Sequence, residues 1–354
     1  MSGEPGGPAG GRQAGPAAAA PSSVPGFGRR VLAAGLAGLL GPRVASGVIA
    51  GASAQAPQPG ESSETIRVTL LGTGTPMPSG ERFGNSTLVE AGGQRLLFDF
   101  GRGVSIRLWQ LRLPLGSIDA HFLTHFHSDH LGGLPDLWLT GWLRPPYGQR
   151  NAPFLLYGPP GTAQLAQGLR TAFAQDIATR LADERSPEAG IAFDAREVPP
   201  GVAYERDGLR VTAFANDHGE LVRPSYGYRI EWRGRSVVLS GDTRYSPEVV
   251  RQGRGADLLL HCVTLIPPAL LAGNPGYRAV YDHLASPADA ARTLAEARPS
   301  LGALSHIGLN GEATVEDLVR ALRAGYDGPL VVGEDLLAFE IGAQGTVTYR
   351  RGRP

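Results

Sequence analysis

From residue 66 onward, apolar and polar positions alternate in short runs. "IRVTLLG" (66–72), "STLVEA" (86–91) and "QRLLFDFG" (94–101) carry the two-residue period of strands separated by Gly-rich turns, and "VSIRLWQLRL" (104–113) switches to a helical period. Later, strand-like "PFLLYG", "LRVTAFA", "YGYRIEW", "RSVVLSGD", "DLLLH" and "GALSH" are interleaved with helical stretches, clearest over 161–174, 287–297 and 314–324. Strand pairs followed by strand–helix alternation predict an α/β chain with helices packed on β-layers. No repeat of 20 to 50 residues is visible.

The first 60 residues have a different texture. Residues 1–28 are rich in Gly, Pro and Ala, with almost no large apolar side chain to bury, so disorder is expected there. Arg29 and Arg30 follow, then an apolar run from Val31 to Leu40, Pro42, Arg43 and small residues ending "ASAQA". Basic, apolar and Ala-x-Ala segments in that order are the parts of an export signal, and the arginine pair is similar to a twin-arginine signal. The expectation is an exported protein, periplasmic or secreted, with a disordered leader over 1–60 and one folded domain over 61–354. A disordered tail on a cytoplasmic protein is the alternative. The apolar run is too short to span a bilayer, so no stable membrane insertion is expected.

Composition narrows the function classes. Hydrophobic residues at 42% and charged residues at 19% describe a globular chain. All 33 basic residues are arginine, and beyond residue 56 there are 29 of them against 32 acids, a net of −3. A global basic footprint for a polyanion is absent. The single cysteine, Cys262, excludes an intrachain disulfide.

Three of the eight histidines fall in "LTHFHSDHLGG" (123–133), directly after an apolar run. In an extended segment, residues two apart project to one side, so His125 and His127 can reach one metal ion. The chain must then turn, and Asp129 with His130 can face a second. Imidazole and carboxylate suit zinc and its neighbours in the transition series. A solvated polar loop is the alternative, but four ionisable groups crowded at a strand end repel one another unless a cation compensates them.

"THFHSDH" has the HxHxDH pattern of the metallo-β-lactamase superfamily. "LLGTGTP", "LFDFGRG", "GYRI" after a histidine, "SGDTRY" and "SHIG" resemble, in that order, its tRNase Z-like and arylsulfatase-like branch, over about 66–308. The resemblance implies a four-layer αββα sandwich, two β-sheets flanked by helices, in a single domain. It implies a first metal held by His125, His127 and His218, and a second by Asp129, His130 and His306, with Asp242 bridging both. Asp129 is also carried over among the catalytic residues. Asp99 would orient a ligand histidine, or would simply make an Asx-turn. Two divalent ions follow, with zinc favoured and manganese or iron compatible, together with a homodimer.

His283, in "YDHLASPADAA", takes the place of a histidine that protonates the leaving oxygen in this family, unless it only enters a helix. Where the tRNA-processing members carry a Glu to orient that histidine, this chain has Cys262. His261 is expected to cap a strand end and His121 to be packed. A bridged metal pair suits in-line displacement at phosphodiesters and sulfate esters. The tRNA-processing members also grip tRNA with a basic Gly/Pro-rich arm, whereas residues 168–200 here carry four Arg and six acids.

The expectation is therefore a binuclear hydrolase of small phosphodiester or sulfate esters, similar to arylsulfatases and phosphodiesterases. Trp138, Trp142 and Tyr147 would form an aryl-accepting wall or else pack a helix onto the sheet, and Tyr226 and Arg244 would line the cleft. A tRNA 3′-processing endoribonuclease (ribonuclease Z) is the alternative, and a non-catalytic metal-binding module a minor one.

Overall fold

A computed structural model describes residues 64–351. The leader and export signal expected over 1–60 lie outside the described residues. β1 (Ile66–Gly72), β2 (Ser86–Ala91) and β3 (Gln94–Phe98) form where alternation predicts them. α1 (Val104–Gln110), the three-residue β4 (Ala120–Phe122), α2 (Ser128–Leu131), α3 (Leu134–Trp142) and β5 (Phe154–Gly158) follow. The helix expected over 161–174 ends two residues early: α4 (Thr162–Ala172) breaks at Phe173, and α5 (Ala174–Ala182) and α6 (Glu188–Ile191) lead into β6 (Phe193–Glu197).

The second half opens with the antiparallel run β7 (Gly201–Arg206), β8 (Leu209–Ala215), β9 (Tyr226–Trp232) and β10 (Arg235–Leu239). After α7 (Pro247–Gly253) and β11 (Leu258–Leu265) comes a helical pair, α8 (Pro268–Gly273) and α9 (Pro275–His283). α10 (Pro287–Ala297) starts where predicted. Its Ser286 hydroxyl accepts from Asp289 N–H at 3.2 Å and the Asp289 carboxylate accepts from Ser286 N–H at 3.1 Å, a reciprocal cap ahead of Pro287. β12 (Leu301–Leu309), α11 (Val315–Arg323), β13 (Leu330–Val332), β14 (Leu337–Ile341) and β15 (Val347–Arg351) complete the described chain.

Two mixed sheets result, ordered β15-β14-β1-β2-β3-β4-β5-β6 and β13-β12-β11-β10-β9-β8-β7. Strand alternation decides which side chains go where. Ile66, Val68, Leu70, Leu258 and Leu260 meet between the sheets. Leu71 and Leu97 turn outward to the layer of α1 and α3, and Leu259 to that of α7, α10 and α11. This is the four-layer sandwich that the motifs imply. Edge strands are what the pattern misses. β6, β7 and β15 are polar and largely uncovered, so they lack the inward apolar period by which strands are read. On the two sheets, β3, β4 and β5 run parallel, as do β10, β11 and β12. Loops after such parallel strands share one rim, where α/β folds place their sites.

Candidate metal centre

The segment after β4 carries the tetrad. Asp129 and His130 are buried within α2, and the extended backbone of His127, φ −66° and ψ 147°, precedes that helix. His218 arrives on the β8–β9 loop and Asp242 three residues beyond the end of β10. Gly241 before it has φ +61°, and a Cβ there would stand 2.3 Å from the Tyr226 carbonyl oxygen, so only glycine lets the chain turn Asp242 inward.

His306 corrects the sequence reading, which ends its strand there. β12 continues to Leu309, and its register with β11 slips between the pairs Cys262–Ser305 and Val263–Ile307. His306 is the extra residue of that bulge, at φ +45°, which swings its ring off the ladder and into the rim.

These seven side chains converge. Donor atoms of His125, His127 and His218 lie within 4.8 Å of one another, as do those of Asp129, His130, Asp242 and His306. In the first group, His127 Nδ1 is 2.9 Å from His125 Nε2 and 3.1 Å from His218 Nε2. In the second, His306 Nε2 is 3.1 Å from Asp129 Oδ2 and 3.2 Å from Asp242 Oδ2, and His130 Nε2 is 3.4 Å from both carboxylates. Asp242 Oδ2 also lies 3.8 Å from His218 Nε2, which puts it between the groups. Only His127 of the seven is exposed, so the opening to solvent is at His127.

Neighbours aim the rings. His130 Nδ1–H donates to Asp99 Oδ2 at 2.7 Å. His218 Nδ1–H donates to the His283 carbonyl at 2.9 Å, and His125 Nδ1–H to Thr124 Oγ1, also at 2.9 Å. Each of these bonds leaves an Nε2 lone pair facing the cluster. Asp99, at φ +58°, further accepts from Thr124 N–H at 2.9 Å and from its hydroxyl. The Thr124 contribution is not legible in the sequence, because its partner lies 25 residues upstream. Asp99→Asn is expected to weaken divalent-metal affinity by about 10- to 100-fold. Calorimetric titration of chelator-treated protein checks this, and an affinity equal to that of the parent would remove Asp99 from the site.

The electrostatics call for a cation. Burial opposes protonation of His130, yet the carboxylates of Asp242 and Asp99 outweigh it and raise its pKa well above the ordinary value. Burial likewise penalises ionised Asp242, but His306 and His130 hold it well below the carboxylate range. Asp129 is treated the same way by His130 and His306. His125 goes the other way, its pKa pushed far down by burial and then by His130. A neutral His125 is a lone-pair donor. Asp242 Oδ1 and His130 Nε2 are buried with no hydrogen-bond partner among the described residues. Buried ionised carboxylates beside inward-facing imidazole nitrogens fit divalent metal ions, which bind such nitrogen and oxygen sets.

Several other expectations need revision. Trp138 and Trp142 are fully buried in the layer under α3, donating their indole N–H groups to the carbonyls of Ile191 and Pro187. They form no wall at the site, and Tyr147 is exposed on the connection to β5. Tyr226 is buried with its hydroxyl donating to the Val198 carbonyl, so it does not line the cleft, while Arg244 stays at the surface paired with Asp217 at 2.9 Å. His261 is not a strand cap. It lies in the middle of β11 with Nδ1 2.6 Å from the Cys262 carbonyl oxygen.

His121 is packed as expected, stacked at 3.6 Å on Phe154, and burial drives its pKa down to about 3. Cys262 packs on Leu284 and Ala285, immediately beyond His283, and burial pushes its thiol up to about 12. His283 ends α9 half-buried, its ring centroid 6.0 Å from that of His218.

Residues 66–272 match the family model described as Anti-Pycsar protein Apyc1. Over 282 residues the chain is 36% identical to Ribonuclease Z of Mycobacterium marinum, covering 79% of this chain and 100% of that relative. In fold it is similar to the metallo-β-lactamase fold protein YhfI from Bacillus subtilis, with TM-score 0.61, 18% identity and coverage of 78% of this chain and 99% of that one. Human tRNase Z, short form, gives TM-score 0.57 and 23% identity over 77% of this chain and 98% of its own. No helix among the described residues is long and apolar enough to cross a membrane.

The similarity to Ribonuclease Z along that relative's whole length overturns the expectation of a small aryl sulfate or phosphodiester substrate. Its aromatic support is gone as well, since the tryptophans are core. The six acids of 168–200 are spread over α5, the turn after it, α6 and the edge strand β6, where several pair locally: Asp176 and Glu184 with Arg180, and Asp194 with Arg196.

Proposed function

The chain belongs to the family described as Anti-Pycsar protein Apyc1 and to the ribonuclease Z-like branch of the metallo-β-lactamase superfamily, and from that membership we propose that it is a metal-dependent phosphodiesterase cutting precursor tRNA at its 3′ end. The single observation behind the tRNA substrate is the 36% identity that runs the full length of a relative named Ribonuclease Z.

In this reading His125, His127 and His218 hold one divalent ion, and Asp129, His130 and His306 a second. Asp242, within 3.8 Å of His218 and 3.2 Å of His306, is shared between them. Such ions, zinc by the nitrogen-rich donor set, supply Lewis acidity at the scissile phosphoryl group and a nucleophilic water. The chain's own residues do the rest. Asp99 and Thr124 set the tautomers of His130 and His125, and the His283 carbonyl does the same for His218. The His283 ring, at the edge of the cluster, gives its proton to the departing oxygen. With Cys262 packed on Leu284 and Ala285 and no carboxylate at that position, the ring is oriented by the backbone of α9 and by packing on Gly219, where an added Cβ would meet it at 2.6 Å.

The test incubates metal-loaded protein with a precursor tRNA bearing a 3′ trailer, an aryl phosphodiester and an aryl sulfate. Trailer removal that stops on adding a chelator is expected, with no sulfate hydrolysis. An intact precursor beside a hydrolysed small diester would overturn the proposal.

A further inference from the structure

The seven donors leave one neighbour unexplained. Phe126 stands between His125 and His127 and is 36% exposed, in a chain whose aromatic residues are otherwise mostly core. Side chains one apart in an extended segment project to opposite sides. The ring therefore leaves the cluster and lies along its lip, against the start of α4. Gly161 there has φ +108°, and a Cβ on it would come 3.1 Å from Cζ and 3.2 Å from Cε2 of Phe126. A glycine in that conformation lets one side of the ring seat closely on backbone. Among the described residues Phe126 belongs to none of the buried apolar clusters. The lip is also the entrance, because His127 is the exposed ligand and Phe126 and Ser128 are the exposed residues on either side of it.

We propose that Phe126 is a stacking platform for the base of a nucleotide flanking the scissile phosphodiester, an inference that rests on the ribonuclease reading above. The ring has one side against Gly161 and is 36% exposed at the entrance, where a ligand can meet it. Every base offers a π-face to such a ring, whatever its sequence. The alternative use of this lip, a phosphate seat at the α4 N-terminus, is already filled: Glu197 Oε1 accepts from Gly161 N–H at 2.9 Å and from Ala163 N–H at 3.1 Å. A carboxylate in that position repels a phosphate. Contact at this side of the entrance is therefore with a base and not with the sugar-phosphate chain.

The experiment uses the metal-loaded full chain and three precursor RNAs: one intact, one abasic at the nucleotide 5′ to the cleavage bond, and one abasic on the 3′ side. The parent protein is expected to prefer the intact RNA over one of the abasic forms by roughly tenfold in kcat/KM, carried mainly by KM. Phe126→Ala brings that ratio toward unity and Phe126→Trp retains it. A ratio unchanged in F126A overturns the proposal. So does an F126A that slows all three RNAs equally, which would mean that the ring only steadies the histidines on either side. A second arm is independent of cleavage: the added emission of F126W is quenched by an oligoribonucleotide carrying a methylphosphonate at the cleavage bond, and absence of quenching overturns the stacking. If the parent cuts no precursor, the ribonuclease reading fails by itself, and the quenching arm alone decides for or against Phe126.

Discussion

Asp242→Ala is expected to lower kcat by roughly 10³-fold or more, because in the proposed reading several kcal/mol of barrier lowering would depend on the metal pair that Asp242 joins. Asp242 reaches both groups of donors, with Oδ2 3.2 Å from His306, 3.4 Å from His130 and 3.8 Å from His218. Its Oδ1 has no hydrogen-bond partner among the described residues, so the second oxygen is available for the same purpose. Alanine removes both oxygens and leaves His130 and His306 with one of the two carboxylates that they share, Asp129. Bound metal should fall from two ions per chain toward one, read by elemental analysis on the same preparation as the kinetics. An alanine variant that keeps two ions and the parent's rate would show that the carboxylate lies beside the site without joining it.

Asp335→Ala carries the largest expected loss of stability, about 3–5 kcal/mol, the range for breaking a buried ion pair from one side. The Asp335 carboxylate is almost fully buried. Oδ1 accepts from Thr73 N–H at 2.9 Å and from the Thr73 hydroxyl at 2.8 Å. Oδ2 accepts from Phe83 N–H and Arg107 Nη2, both at 2.8 Å. One side chain just before β14 thus pins both ends of the β1–β2 loop and the guanidinium of α1. Removing it strands four donors, one of them charged, where water reaches poorly. Urea unfolding with an unchanged m-value is the measurement. A loss below about 1 kcal/mol would rank the network with ordinary surface pairs. Thr73 C=O in turn accepts from Ile307 N–H at 2.8 Å, next to His306, so the same loss loosens one wall of the site.

Nothing in "VGEDLLAF" marks Asp335 as more than a turn acid, since its partners lie 228 to 262 residues away in sequence. The same limit applies to Trp138 and Trp142. Their sequence shows a bulky apolar stripe, and only the packing of α3 over the carbonyls of Ile191 and Pro187 decides that the stripe faces inward. The substrate is misread for a related reason. A sum of charges over 168–200 does not distinguish a surface that touches RNA from helix faces that touch water, and full-length similarity to a ribonuclease weighs more than that sum.

What the sequence determines by itself is local chemistry and period. Strands with an apolar face, the start of α10 at its cap, and four ligand-type side chains within six residues of "HFHSDH" follow from bond geometry and alternation over a few positions, and they are legible without a fold. What only the tertiary structure decides is convergence. The bulge that turns His306 inward, the Asp99 and Thr124 bonds that choose tautomers, and the exposed position of Phe126 at the entrance depend on segments brought together across two sheets. Register, burial and long-range partners are properties of the packed whole, so no run of neighbouring residues encodes them separately.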